Sequence, residues 1–262
     1  MKIRLLAPVT LVLIAMAFGA SARDAGARQQ RQRQHKLFDC NKKIAESIVR
    51  YNKKRYADVQ AALADVKIQC SGHEAMDTII YYLGMSYMML KRTDEAKTEF
   101  EQLNRDFPNS PFADAARFRV GHCSMIGSHD WERDQTGTRD AIRELTDFVA
   151  TYPQSAYIDS AHADIVACQD KLAKKELANA RFYEKLDQYE AAIVYYRAFL
   201  EQFGDTKYAP DAQLAMADNL VKLTRTTEAR DVLKTLVDSD ASDATKSKAH
   251  AMLARIESKS TK

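Results

Sequence analysis

The chain has 262 residues, 39 Lys or Arg against 36 Asp or Glu, a formal net charge of +3, and only 8 Gly and 5 Pro. Abundant Ala, Lys, Glu, Leu and Asp with so few breakers favours helix and argues against a sheet-rich fold. Beyond the first 22 residues no stretch is apolar enough to span a bilayer.

Residues 1–22 read as an export signal. Lys2 and Arg4 give a positive start, Leu5 to Phe18 is uncharged and mostly apolar, and Ala20-Ser21-Ala22 supplies the small-x-small cleavage pattern. An uncleaved anchor is the alternative. Residues 23–35 follow as a basic leader, rich in Arg and Gln without apolar periodicity, which reads as a flexible spacer in preference to a binding arm. No nucleic-acid partner is expected. Residues 23–55 hold eleven Lys or Arg against three acids, so the remainder of the chain is acidic.

From residue 36 to about 240 one spacing recurs: a slim residue, then bulky ones four, seven and eleven positions on. The segments are Val59-Leu63-Val66-Cys70, Ala96-Phe100-Leu103-Phe107, Ala141-Leu145-Phe148-Tyr152, Ala192-Tyr196-Phe199-Phe203 and Ala229-Leu233-Leu236. These offsets keep the side chains on one helical face, and the slim residue lets a neighbouring helix approach. Pro108, Pro153 and Gly204 stop three of the helices, and Ser110, Ser155 and Thr206 are plausible N-caps for the next. Leu83-Gly84, Tyr87, Ala96, Phe100 and Pro108 reproduce the tetratricopeptide consensus in register. The predicted fold is therefore all-α: a solenoid of about five tetratricopeptide-type hairpins, with 241–262 as a C-terminal capping helix and tail.

Two units are stretched. Gly121 to Ala141 is longer than Gly84 to Ala96, which places an inserted loop near 127–138. After Pro153 roughly 30 residues run without a breaker to Leu186, predicting a helix of about 45 Å that protrudes beyond its neighbours.

Four cysteines in an exported chain suggest disulfides. Cys40 opens the first helix of unit one and Cys70 closes the second, so antiparallel packing brings them together. Cys123 and Cys168 occupy equivalent first-helix positions in successive units, as a bridge between them or as two buried small hydrophobes.

No nucleophile elbow, phosphate loop, dinucleotide fingerprint or zinc motif is present, and His122, Cys123, His129 and Asp130 fit no paired metal spacing. Neither an enzyme nor a cofactor is expected. Stacked hairpins offer a concave face for polypeptide instead. Tyr81, Tyr82, Met85 and Met88 crowd one first helix, as peptide-binding surface or as inter-helix core. Trp131, the single tryptophan, lies in the inserted loop as a plug or as an anchor for a partner.

At that loop and the long helix the chain resembles the BamD family of outer-membrane assembly factors. The carrying residues are Arg133-Asp134-Gln135-Thr136, Thr138, Ala141, Phe148, Tyr152-Pro153-Gln154-Ser155, Tyr157, Leu172, Glu176, Ala180-Arg181-Phe182-Tyr183 and Tyr189-Glu190-Ala191-Ala192. The resemblance implies a periplasmic scaffold at the inner face of the outer membrane. Its partners would be the central barrel-assembly subunit and unfolded outer-membrane protein segments. Asp134, Gln135, Thr136, Tyr183 and Ala192 carry over as motif positions that hold loop and helix in place. The family carries a lipid-bearing Cys after its signal run, whereas here no Cys precedes Cys40. Peripheral association through protein contacts or the basic leader is the expectation. A general periplasmic repeat adaptor in envelope or division machinery is the alternative.

Overall fold

The computed structural model describes residues 39–260, so the expected signal and basic leader lie outside the described residues. Eleven helices and no strand occur among the described residues. Five antiparallel hairpins run in chain order: α1 (Cys40–Asn52) with α2 (Tyr56–Gln69), α3 (Met76–Met89) with α4 (Thr93–Asp106), and α5 (Ala113–Gly127) with α6 (Thr136–Thr151). Then come α7 (Ile158–Lys185) with α8 (Tyr189–Phe203), α9 (Ala209–Lys222) with α10 (Thr226–Asp238), and the single helix α11 (Asp243–Ser260). The α-solenoid that the repeat spacing predicts is the observed architecture.

Four hairpins turn in the same way. Lys54, Lys91, Asp187 and Thr224 sit at φ 57–61°, the left-handed conformation that ends a helix. The next amide then reaches back: Arg55 N to Arg50 O, Arg92 N to Tyr87 O, Gln188 N to Tyr183 O and Arg225 N to Leu220 O. The third hairpin has the inserted loop in place of this turn.

Within each hairpin the slim and bulky positions do what their spacing requires. Ala96, Phe100 and Leu103 are fully buried, as are Ala141, Leu145 and Phe148. Gly84 and Gly121 allow the close approach. A Cβ on Gly84 would stand 2.8 Å from Phe100 Cε1, and one on Gly121 would stand 2.7 Å from Leu145 Cγ.

First helices of successive units touch directly, α1 with α3, α5 with α7, and α9 with α11, whereas second helices do not approach to the same extent. Second helices are instead linked through long side chains, Lys67 Nζ to Glu99 at 2.6 Å and Lys97 Nζ to Glu144 at 2.9 Å. Closer spacing on one side than the other curves the stack, and it puts the first helices on the inner face.

The serines expected as N-caps have another role. Ser110 Oγ donates to Asp77 Oδ2 of α3 at 2.6 Å, and Ser155 Oγ donates to Asp114 Oδ2 of α5 at 2.7 Å. Each also accepts the amide two residues on, from Phe112 and Tyr157. They pin the start of one first helix to the start of the preceding one, while the helices begin at Ala113 and Ile158 without a side-chain cap. Thr206 instead donates to Phe203 O.

Helix α7 spans 28 residues, about 42 Å. At nearly twice the length of its hairpin partner α8 it extends past that helix, and neither half stands free. Its first half, through Ala161, packs with Phe118, Leu145 and Phe148, and its second half, Leu172 to Ala180, joins the core of α8–α11. Both halves are used because each faces a different neighbour. The array closes on α11, which buries Ala249 and Ile256 and leaves its other face to solvent.

Cys40 and Cys70 form a disulfide that closes the first hairpin, with Cα atoms 6.0 Å apart. The bridge considered for Cys123 and Cys168 is absent: both are free and buried. Cys123 packs backward, with Phe100, Leu103 and Val120, against the core it shares with α4 rather than forward toward α7. Burial pushes the Cys123 thiol up to about 12 and that of Cys168 up to about 11.

Candidate peptide-binding face

Aromatic side chains of units one to four meet where successive units adjoin, Phe118 among them from within the core. Tyr51 of α1 stands edge-on to Tyr82 of α3, ring centroids 5.2 Å apart. Tyr81 stacks on Phe112 at 4.4 Å, and Phe118 of α5 stacks on Tyr157 at 5.1 Å. Burial, with the Tyr157 hydroxyl close by, pushes Tyr81 up to about 12. The row thus continues from unit two to unit four.

Arg119 of α5 lies in the middle of this row. Its guanidinium carbon is 5.2 Å from the Phe118 ring centroid and 5.6 Å from that of Tyr157. Its charge opposes the upward shift of both Tyr51 and Tyr81. Its Nε is buried without a hydrogen-bond partner. Beside it His122 stacks on Phe118 and pairs through Nδ1 with Asp164 of α7 at 2.6 Å.

The residues singled out from sequence on α3 all pack, half-buried, against core clusters, Tyr82 on that of Ile79 and Leu83 and the others on that of Ile80 and Phe100. Tyr81 and Tyr82 stand in the aromatic row, half-buried. Met85 and Met88 pack onto the buried cluster of Ile80, Phe100 and Leu103, and so serve the core. Trp131 lies apart, held over α7 by Lys174 Nζ at 4.6 Å from its ring centroid.

Trp131 belongs to a loop clamped to the long helix. Lys171 Nζ donates to Ser128 Oγ at 2.7 Å and His129 O at 3.0 Å, and Lys175 Nζ donates to Arg133 O at 2.6 Å. Gln135, 1% exposed, donates from Nε2 to Asp130 O and Arg133 O, and accepts from Thr138 Oγ1 at 2.8 Å. Asp134 accepts the Thr136 amide, which holds its carboxyl below the usual range. Tyr183 stacks on Tyr195 at 4.5 Å, joining α7 to α8, and Ala192 is fully buried in the C-terminal core.

Sequence reasoning missed Tyr51, Phe112, Phe118, Arg119 and Tyr157 as parts of the inner face. A signal existed. Tyr81 and Phe118 each lie three residues before a first-helix glycine, and Phe112 and Tyr157 each lie two residues after a stapling serine. No group of three or more His, Cys, Asp or Glu that could hold a metal occurs among the described residues. Nor is any helix among them long and apolar enough to cross a membrane.

Stacked antiparallel hairpins define an α-solenoid of the tetratricopeptide type, and residues 79–110 match the tetratricopeptide repeat model. Residues 121–236 match the family model described as an outer membrane lipoprotein. The outer membrane protein assembly factor BamD of Caulobacter vibrioides is 29% identical over 151 residues, 58% of this chain and 50% of that protein. The same factor of Neisseria gonorrhoeae is 27% identical, over 45% of this chain and 48% of its own length. That of Haemophilus influenzae is 30% identical, over 41% of each chain. The chain is homologous to the BamD outer-membrane assembly factors, and it spans about half the length of the curated relatives it matches.

Proposed function

We propose that this chain is a non-catalytic periplasmic scaffold in the machinery that inserts β-barrel proteins into the outer membrane. The observation that carries the reading is the aromatic inner face of units one to four, joined to a homologous segment that begins within unit three. Aromatic rings on a curved helical face give wide contact area at low side-chain entropy cost, which suits apolar segments of unfolded polypeptide. The N-terminal units receive those segments. The C-terminal units dock on the central barrel-assembly subunit, and the exposed Phe182, Leu186, Val194 and Tyr195 are the contacts available there. An apolar set of this kind marks an interaction surface.

Crosslinked envelopes and affinity purification of the full chain test the reading. Recovery of a large outer-membrane barrel protein is expected, with loss of barrel proteins from the membrane on depletion. Recovery with peptidoglycan-remodelling or division proteins and no barrel subunit overturns it in favour of a general envelope adaptor. The mass of the mature amino terminus reports separately whether acyl chains are attached.

A further inference from the structure

Arg119 is a cation without a counter-ion. It makes no ion pair among the described residues, and its Nε is buried without a hydrogen-bond acceptor. The carboxylates borne by the neighbouring first helices are engaged elsewhere: Asp77 by Ser110, Asp114 by Ser155 and Asp164 by His122. The faces of the two flanking rings hold the guanidinium in place. Its side chain is only partly exposed, so solvent replaces the missing partner incompletely.

A half-buried guanidinium that lacks an acceptor is matched by a carboxylate, which takes two parallel N–H donors from it. Rings beside it favour an apolar or aromatic neighbour on the same ligand. We infer that the inner face selects extended polypeptide in which a carboxylate lies next to aromatic or aliphatic side chains, and that Arg119 reads the carboxylate. The inference rests on the reading of this face as the polypeptide-receiving one. It adds a chemical preference to it: acidic-apolar segments over equally apolar neutral ones. The half-buried Tyr81, Phe112 and Tyr157 supply the apolar contact and Arg119 the discrimination.

Two fluorescein-labelled nonapeptides of identical aromatic-aliphatic sequence, one with a central Glu and one with Gln, test this by fluorescence anisotropy on the full chain. The Glu peptide is expected to bind about tenfold tighter at low salt, an advantage that shrinks at 0.5 M salt. In Arg119→Gln the two peptides should bind equally, near the affinity of the Gln peptide for the unaltered chain. In Arg119→Lys part of the preference should return, since the charge remains but the planar fork is lost. Equal binding of the two peptides by the unaltered chain overturns the selectivity and leaves the polypeptide-receiving face intact. A preference that survives in Arg119→Gln overturns the assignment to Arg119. Binding of neither peptide removes the receiving face itself, and the selectivity with it.

Discussion

Cys40 and Cys70 close a loop of 30 residues around the first hairpin, which otherwise buries little: α1 contributes only Ile44 and Ser47 to the interior. Among the described residues the first hairpin packs against a neighbour on one side alone, so a covalent tie matters most there. Chain-entropy reasoning gives about 3–4 kcal/mol for a loop of this length. The Cys40→Ser/Cys70→Ser variant should lose that much by urea denaturation, with accelerated amide exchange concentrated in α1 and α2. An unchanged midpoint would show that the reduced hairpin is already held by its core.

The unpaired cysteines and Tyr81, together with the buried Tyr196, weaken the fold at alkaline pH. Their folded values lie above the ordinary ones, about 12 for Cys123, about 11 for Cys168 and about 12 for Tyr81. The folded chain therefore holds these protons more tightly than the unfolded chain does. The resulting stability is present below the unfolded values, near 9 for a thiol and 10 for a phenol, and it is lost as pH rises through the folded ones. Urea midpoints should fall between pH 9 and 12, and fall less in Cys123→Ala/Cys168→Ala. At pH 8 neither thiol should react with a disulfide reagent until the chain is unfolded.

At the scale of elements, α7 is the unusual part. Twice the usual first-helix length, it serves the α5–α6 core with one half and the α8–α11 core with the other. The loop 128–135 is fastened to it by Lys171, Lys174 and Lys175, and is held in shape internally by Gln135. Gln135→Ala leaves the Asp130 and Arg133 carbonyls without this donor and the Thr138 hydroxyl without its acceptor. We expect a cost of about 1–3 kcal/mol, felt locally. Trp131 should report it, as a red shift of its emission when the loop leaves α7, together with faster exchange at residues 128–136. Unchanged emission would mean the three lysines suffice without the glutamine.

Across the whole molecule the core is divided rather than shared. One buried cluster runs from Leu172 to Ile256, and smaller ones serve each N-terminal hairpin. In such a stack each unit leans on its neighbours alone, so damage stays regional. Leu233 is fully buried in α10, and Leu233→Ala should cost about 2–5 kcal/mol. Exchange protection should fall in α9–α11 and persist in α3–α5. Loss of protection throughout would contradict the division and indicate one cooperative unit. The same separation lets the N-terminal inner face and the C-terminal apolar patch serve different partners at once.

Much of this architecture was legible without coordinates because its cause is local. The offsets of four, seven and eleven put Ala96, Phe100 and Leu103 on one face, and burial follows from that face alone. The slim Ala96 and Ala141 announced close helix pairs for the same reason, and the Cys40–Cys70 bridge followed from the antiparallel run of a single hairpin. What joins separate units was not legible. Whether Cys123 points back to Phe100 or forward to Cys168 depends on the rotation of one helix against another, and so does the meeting of Tyr81 with Tyr157 around Arg119. A repeat spacing determines which side chains are inside each hairpin; only the curvature of the stack decides which of the others meet across it, because that angle is summed over packing contacts between residues far apart in the chain.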